Sequence, residues 1–450
     1  MPEFAAAERA GSGAAASGRW SLPATELLLL PALVLMLVGV LTPAAELFPN
    51  QFDVGLYFQN AGALAGGQWP YRDFAFEYPP LALVPMVVPF LAWPFGAPTF
   101  ETYQWLFLAW EGILLTALVV VVGRIADHVP IAGLGAVGLH RPNAVTTRLV
   151  LLTIVAAPSL AWRFDLFPAL LSAVALLAAV KGRAAVAGGS IGLGVLAKLY
   201  PAVLVPAILL PWLMARDRGR TIRFAVAATA TVAIVVVPLV LVVGDRALSP
   251  LRYQGARGLQ LESVGAGIVL LDALVRGVKV SLDFNFGAVH VAGAGARAVL
   301  AMLPWLTLVG FGLLLGLSAT LLRREKDRRG GVDPRTLVRI AAASLVLLIV
   351  VNKVFSVQYV VWLVPLAALL PRGQFLLVAL IAAVSVGIHP LNYEHLIDQE
   401  APLVVLLNLR NGLVVGLLAW LVASLVLLRP REGGVARPAG LEPTTFRSAT

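Results

Sequence analysis

Three carboxyl groups stand close together in a chain that has few of them. Asp53, Asp73 and Glu77 fall within QFDVGLYFQNAGALAGGQWPYRDFAFEYPPLALV, residues 51–84, where Arg72 is their only basic neighbour. Aromatic side chains run between them. A carboxylate held beside aromatic rings at the edge of an apolar medium can take a proton from a hydroxyl in a general-base step. Asp53, followed by Val54-Gly55-Leu56-Tyr57, is the leading candidate for that role, and a solvated loop acid or a helix cap is the plainer reading. Asp73 and Glu77 bracket Phe74-Ala75-Phe76 and precede Pro79 and Pro80, which stiffen the entry into the next segment. These two acids would orient hydroxyls of a ligand, or simply face water.

Further along, Arg163-Phe164-Asp165 forms a very short turn, read either as a local ion pair that eases the turn or as part of a cavity lining. Lys198 and Lys353 close apolar runs, where snorkelling explains them and phosphate binding is the sharper alternative. Arg410 lies about eight residues into the last apolar run, roughly 12 Å along a helix, and at that depth needs an anionic partner. The stretch LRYQGARGLQLES adds Arg252, Arg257 and Glu262, either as a solvated mixed-charge loop or as part of the same site. His389, Glu394, His395 and Asp398 share one loop, but their spacing fits no strong metal motif.

The elements that must position these residues are apolar helices. Hydrophobic residues make up 59% of the 450 positions and charged residues 13%, about half the charge of a soluble domain. The apolar residues come in unbroken runs, as membrane spans require. The net charge of +10 is spread over short loops between those runs, which points to orientation in a bilayer and not to nucleic acid. There are no cysteines, so disulfides and thiolate metal sites are excluded.

Spans are expected at 25–45, 102–123, 147–161, 166–180, 184–197, 199–214, 222–243, 298–321, 336–351, 357–370, 374–388 and 402–428. A cleaved signal peptide ending near Pro43-Ala44-Ala45 is the rival for the first of them. The segment 80–95, broken by Pro85, Pro89 and Pro94, is read as juxtamembrane or partly inserted. The basic loops 181–183, 216–223, 323–335 and 371–373 then face the cytoplasm, and 46–101, 163–165, 244–297, 352–356 and 389–401 face outward. The fold expected is an all-α polytopic membrane protein of about 12 transmembrane helices, with juxtamembrane helices in the first outer loop and both termini inside. Residues 1–24 and 429–450 are expected to be disordered cytoplasmic ends around one domain at 25–428. Glycines 188, 192, 312 and 316 give two small-xxx-small spacings, the ordinary mark of close helix packing.

No phosphate loop, dinucleotide fingerprint or His/Cys cluster with metal spacing occurs. The ordered set FDVGLYF, PYRDFAFEYPPL, RFDLFPALL, GLGVLAKLYPAVLVP, ARGLQLES and NKVFSVQYVVWLVP resembles the bacterial integral-membrane glycosyltransferases of the GT-C superfamily. Within it the chain is most similar to glycosyltransferase family 87, which includes polyprenol-phosphate-mannose-dependent alpha-mannosyltransferases. The resemblance covers roughly residues 25–428 through ordered landmarks, none of them strict. Tyr78 to Leu81 match the family's Tyr-Pro-Pro-Leu entry, and Lys198 to Pro201 its Lys-x-x-Pro element. Asn352 to Tyr359 match Asn-Lys-x-x-Ser-x-Gln-Tyr, with Val357 where proline is expected.

The resemblance implies a hexosyltransferase of the bacterial plasma membrane acting on its outer face. It would move a sugar, mannose by analogy, with inversion from a polyprenyl-monophosphate donor to a glycolipid or cell-envelope glycan acceptor. It also implies an essential acid in the first outer loop, the place Asp53 occupies. Lys353, Arg410, Arg257 and Lys198 are then the candidates to stabilise the leaving phosphate, and Asp73 and Glu77 to position acceptor or sugar. Tyr57, Tyr78, Arg163, Asp165, Glu262, Gln358 and Tyr359 complete the expected substrate-binding set. No cofactor and no metal is expected, since fixed cations can stabilise a single leaving phosphate. Membrane lipids and the two substrates are the expected partners. A transporter or flippase of lipid-linked saccharides is the alternative, disfavoured because such proteins tend to show repeats around midplane polar sites, and none is evident here.

Overall fold

The structure is a computed structural model and describes residues 51–129 and 141–427. The expected first span at 25–45 and both terminal segments lie outside the described residues. What is described is almost wholly helical, with five helical stretches long and apolar enough to cross a membrane: Phe100–Ala126, Arg218–Ala256, Ala294–Arg328, Pro334–Val351 and Ala401–Val426. Shorter apolar helices pack between them. The chain has the architecture of an all-α membrane protein.

Helix α1 (Gln51–Ala65) opens the described chain, so the acidic stretch begins as a helix with Asp53 in its first turn. A turn at 66–79 and a short 3-10 segment, Pro80–Ala82, lead to α2 (Leu83–Leu91). Nine residues rise about 13.5 Å, less than half a hydrocarbon core. Thr99 caps α3 (Phe100–Ala126), accepting from the Thr102 amide. α4 (Arg141–Leu160) packs against α3, and α5 (Leu166–Val180) and α6 (Ala184–Ala197) pack against each other. A 3-10 turn, Tyr200–Leu204, feeds α7 (Val205–Met214), and Asp217 caps α8 (Arg218–Val243).

The connection after α8, read from the sequence as one long loop, is instead a small folded unit. It holds α9 (Ser249–Ala256), β1 (Leu259–Gln260), α10 (Val264–Val275), β2 (Leu282–Asn285) and β3 (Ala288–Val291). The strands form an antiparallel sheet in the order β1-β3-β2, closed by a two-residue turn in which Phe286 and Gly287 both take positive φ. α11 (Ala294–Arg329), α12 (Pro334–Val351), α13 (Tyr359–Ala367), α14 (Arg372–Ile388), the short α15 (Tyr393–Ile397) and α16 (Ala401–Val426) complete the bundle.

The two ends of the bundle differ in charge. Arg124, Lys181, Arg183, Arg218, Arg220, Arg323, Lys326 and Arg372 gather at the connections α5–α6, α7–α8, α11–α12 and α13–α14 and at the end of α3. There Lys326 donates to the Met214 carbonyl at 3.0 Å. Asp53, the short sheet, Lys353 and His389 lie at the other end. Between the ends, α8 and α11 turn bare apolar faces outward: Ile234, Leu241, Trp305 and Leu313 are all exposed. Surfaces of that size have no place in water.

The small-xxx-small pairs part company. A Cβ on Gly188 would stand 2.2 Å from the Phe224 carbonyl oxygen, and one on Gly192 2.9 Å from that of Ala228, so this pair lets α6 and α8 touch backbone to backbone. Gly312 and Gly316 meet nothing within 4 Å. Gly188→Ala is therefore expected to destabilise the detergent-solubilised protein by about 1–3 kcal/mol, as overpacking against rigid backbone does. Gly312→Ala is expected to leave it unchanged or slightly stabilised. Thermal unfolding of both variants checks the distinction.

Candidate active site at the Asp53 end

The turn between α4 and α5 sets the site. Its two charges, five atoms of backbone from one another, turn to different partners. Arg163 pairs with Asp53 on α1. Asp165, 1% exposed, accepts from the Lys198 ammonium at 2.6 Å and from the Trp362 indole at 2.5 Å. The local Arg163–Asp165 pair that the sequence allowed is thus not what eases the turn. Lys198 does not snorkel either. Its ammonium lies over the rings of Phe164 (4.8 Å) and Trp362 (5.5 Å).

Around Asp53 the walls are aromatic. Tyr57, one helical turn on, is buried against Phe164, Phe107 and Tyr78, with centroids 5.5, 5.7 and 6.3 Å away. Burial, and then the Asp53 carboxylate, hold its phenol well above the usual tyrosine range, so it stays a neutral donor. Tyr71 adopts a left-handed backbone (φ 67°) to reach the carbonyl of Tyr78 with its hydroxyl at 2.6 Å, which fixes the turn before Pro79. Glu77 is half-buried near the phenols of Tyr78 and Tyr253, the second of which donates its hydroxyl to the Phe286 carbonyl at 2.8 Å. Asp73 is not brought in. It stays exposed, paired with Arg72 at 2.9 Å and accepting from the Trp69 amide.

The opposite wall is built by the segment 257–263. Gln260 donates to the Glu262 carboxylate at 2.6 Å, accepts from the Phe355 amide at 2.8 Å, and gives its own amide to the Lys353 carbonyl at 2.9 Å. Lys353 in turn donates to the carbonyls of Gly255 and Arg257, both at 2.7 Å. The short sheet holds this segment in place, Leu261 donating to the Val289 carbonyl. Glu262 is buried, contrary to a solvated loop. Burial pushes its carboxyl up to about 7, while Arg410 and the Gln260 hydrogen bond pull the other way.

Arg410 is the tenth residue of α16 and 1% exposed. Its guanidinium donates to the Glu262 carbonyl at 2.8 Å and stacks on the Phe355 ring at 3.9 Å, while Nε and Nη1 have no hydrogen-bond partner among the described residues. Tyr359 stacks on Trp362 at 3.8 Å, and Trp362 on Tyr200 at 4.2 Å. A chain of rings therefore runs from Phe355 under Arg410 to Trp362 under Lys198. Arg257 is half-buried with its guanidinium 5.9 Å from the Tyr253 ring. Gln358, half-buried at the head of α13, leaves its side-chain oxygen without a partner among the described residues. His389 packs edge-on to Tyr393, and burial followed by the field of Arg163 pushes its imidazole down to about 4. His395 faces away to Glu400, so the two histidines form no common site.

Sequence reading missed two participants and one buried neighbour. Trp362 was hidden in an apolar run, although an indole N–H there needs an acceptor. Gln260 carries no charge and drew no reading within its loop. Glu111, 0% exposed in the middle of α3 and without a hydrogen-bond partner among the described residues, lies within the field of Asp165. An acid inside an apolar span was the available signal for it.

Five cations (Arg163, Lys198, Arg257, Lys353 and Arg410) thus face four carboxyls (Asp53, Glu77, Asp165 and Glu262), of which Glu262 is only partly ionised at neutral pH. Such a site favours an anionic ligand and offers a carboxylate beside it.

Because the folded chain keeps a proton on Glu262 that the unfolded chain releases above 4.5, stability is expected to fall as pH rises from about 5 to 7 and then to level off. The full effect is about 3 kcal/mol. Glu262→Gln is expected to flatten that slope in thermal unfolding measured across the same pH range. Lys198→Met, which leaves Asp165 buried with the indole alone, is expected to cost about 3–5 kcal/mol, and Lys198→Met with Asp165→Asn to recover part of it. Compared with models of protein families and with curated proteins, the chain matches none.

Proposed function

We propose that the chain is an inverting membrane glycosyltransferase that moves a hexose, mannose by resemblance, from a polyprenyl-phosphate donor to a glycolipid or cell-envelope glycan. The observation that carries this reading is the pairing of a reachable carboxylate, Asp53, with an excess of cations at the same end of an apolar bundle. Asp53 takes the proton of the acceptor hydroxyl. The hydroxyl oxygen attacks the anomeric carbon from the face opposite the phosphate, and the bond from that carbon to the phosphate oxygen breaks. The leaving polyprenyl phosphate carries the electron pair into the field of the fixed cations. Tyr57, Glu77 and Tyr78 line the sugar side, and Lys353, Arg257 and Arg410 the phosphate side.

The topology proposed with it has about twelve spans, counting the segment 25–45, with both termini inside. The charge difference between the two ends supports this orientation: the end rich in Arg and Lys faces the cytoplasm and the Asp53 end faces outward. The membrane is the bacterial plasma membrane.

Radiolabelled polyprenyl-phosphate mannose, supplied to membranes holding wild type or Asp53→Asn at matched expression, tests the reading. Transfer to an endogenous lipid or glycan is expected from the wild type, with a loss of at least about 100-fold in the variant, as removal of a general base brings. A variant that transfers normally removes Asp53 as the base. Donor relocated without being consumed would sink the transferase reading in favour of a flippase.

A further inference from the structure

The contact between Asp53 and Arg163 is at odds with a base ready to act, because the carboxylate already accepts from a guanidinium. Resting on the transferase reading, we propose that Arg163 is a mobile counter-ion: it holds Asp53 while no phosphate is bound, and passes to the phosphate of the lipid-linked substrate as Asp53 takes its proton.

Charge conservation in the reaction carries the argument. Before transfer one negative charge sits on Asp53 and one on the phosphodiester of the donor. Afterwards Asp53 is a neutral acid, the new glycosidic oxygen is neutral, and the polyprenyl phosphate is a monoester with close to two negative charges at neutral pH. One unit of charge has moved from Asp53 to the phosphate. A cation standing between them stabilises the reactants through the first group and the products through the second.

Arg163 has that position. It occupies a short turn, residues 161–165, between α4 and α5, with its side chain 15% exposed beside that of Asp53 at 27%. It pairs with Asp53 on the α1 wall, and its charge is also felt by Tyr57 on that wall and by Glu262 and His389 on the facing one. Three of the other four cations are held elsewhere: Lys198 by Asp165, Lys353 by two carbonyls, and Arg410 by the Glu262 carbonyl and the Phe355 ring on which it stacks. A guanidinium also suits the exchange, since its planar fork matches carboxylate and phosphate alike.

The proposal makes a prediction that a merely structural ion pair does not. Removing the charge of the base should improve phosphate binding. Binding of farnesyl phosphate, a short polyprenyl monophosphate, is measured in nanodiscs for wild type, Asp53→Asn, Arg163→Gln, Arg163→Lys and Asp53→Asn/Arg163→Gln, with farnesol as the uncharged control. Asp53→Asn is expected to bind farnesyl phosphate about tenfold tighter than wild type, a usual size for coupling between two sites. Arg163→Gln is expected to bind it about tenfold weaker, Arg163→Lys to fall between Arg163→Gln and wild type, and the double variant to lose the gain. Farnesol affinity is expected to be the same throughout. Equal or weaker binding to Asp53→Asn, or wild-type binding by Arg163→Gln, overturns the counter-ion role and leaves the transferase reading standing. A wild type that binds neither farnesyl phosphate nor the full-length donor overturns both. Should Asp53→Asn not fold, a gain that persists in Asp53→Ser but not in Asp53→Ser/Arg163→Gln serves the same comparison, and its absence counts against the proposal.

Discussion

A carboxylate with 1% exposure survives only where donors converge on it, and Asp165 has two: the Lys198 ammonium from the end of α6 and the Trp362 indole from α13. Breaking that convergence would leave a bare charge in a medium that cannot solvate it, so three segments far apart in sequence are fixed to one another at a point. Everything nearby takes its place from this. Asp165 turns toward α6 and α13, while Arg163, two positions earlier, meets Asp53 on α1. Phe164 between them becomes the shared wall, touching Tyr57 and Tyr78 on one side and lying under Lys198 on the other. One short turn therefore divides the site into a base side and a cation side.

The helices were readable from the sequence because long unbroken apolar runs mark them. The expected segments 166–180 and 184–197 coincide with α5 and α6, and 402–428 with α16 to within two residues. The residue types at the site were readable too, since so few charges occur that nearly all those at one end draw attention. Their pairings were not. Sequence proximity favoured Arg163 with Asp165, and the partners chosen were instead 110 and 33 positions away, the second spacing being that of the hydrogen bond between Lys198 and Asp165. Asp73 and Asp53 look alike as acids in one stretch. Only the turn at Tyr71 and the Arg72 contact separate the one that faces water from the one that faces the site.

The segment after α8 shows why a loop rich in polar residues can be misread. Its length and mixed charge suggested solvent, yet Ser263 and Glu262 reach Asn411 and Arg410, a third of the way down α16. Gly267 makes the approach feasible: a Cβ there would stand 2.7 Å from the Asn411 amide nitrogen and 3.0 Å from the Asn408 side-chain oxygen. A two-residue strand, held in register by β3, is enough to aim Gln260 at Glu262. The polar residues of this segment are there to satisfy buried partners, which composition does not distinguish from solvation.

That burial also gives the site its electrostatic character. In water, five cations and four carboxyls would be screened to near indifference; beneath aromatic rings and backbone they are not. Lys353 keeps its ammonium on two carbonyls and Arg410 its guanidinium on one carbonyl and a ring, so each makes its direct contacts with neutral groups, with only the partly ionised Glu262 near Arg410. Lys198 and Arg163, by contrast, are each matched to a carboxylate. On the proposed reaction the two kinds have different work. Cations held by neutral groups supply a standing field that draws an anionic lipid to this end and needs no rearrangement when charge develops. A cation matched to the base has to change partner as the base is neutralised, and Arg163, on its short turn, is the cation matched to Asp53. The division between fixed and exchangeable counter-charge follows from which acceptors each side chain was given, and those acceptors are set by the Asp165 junction.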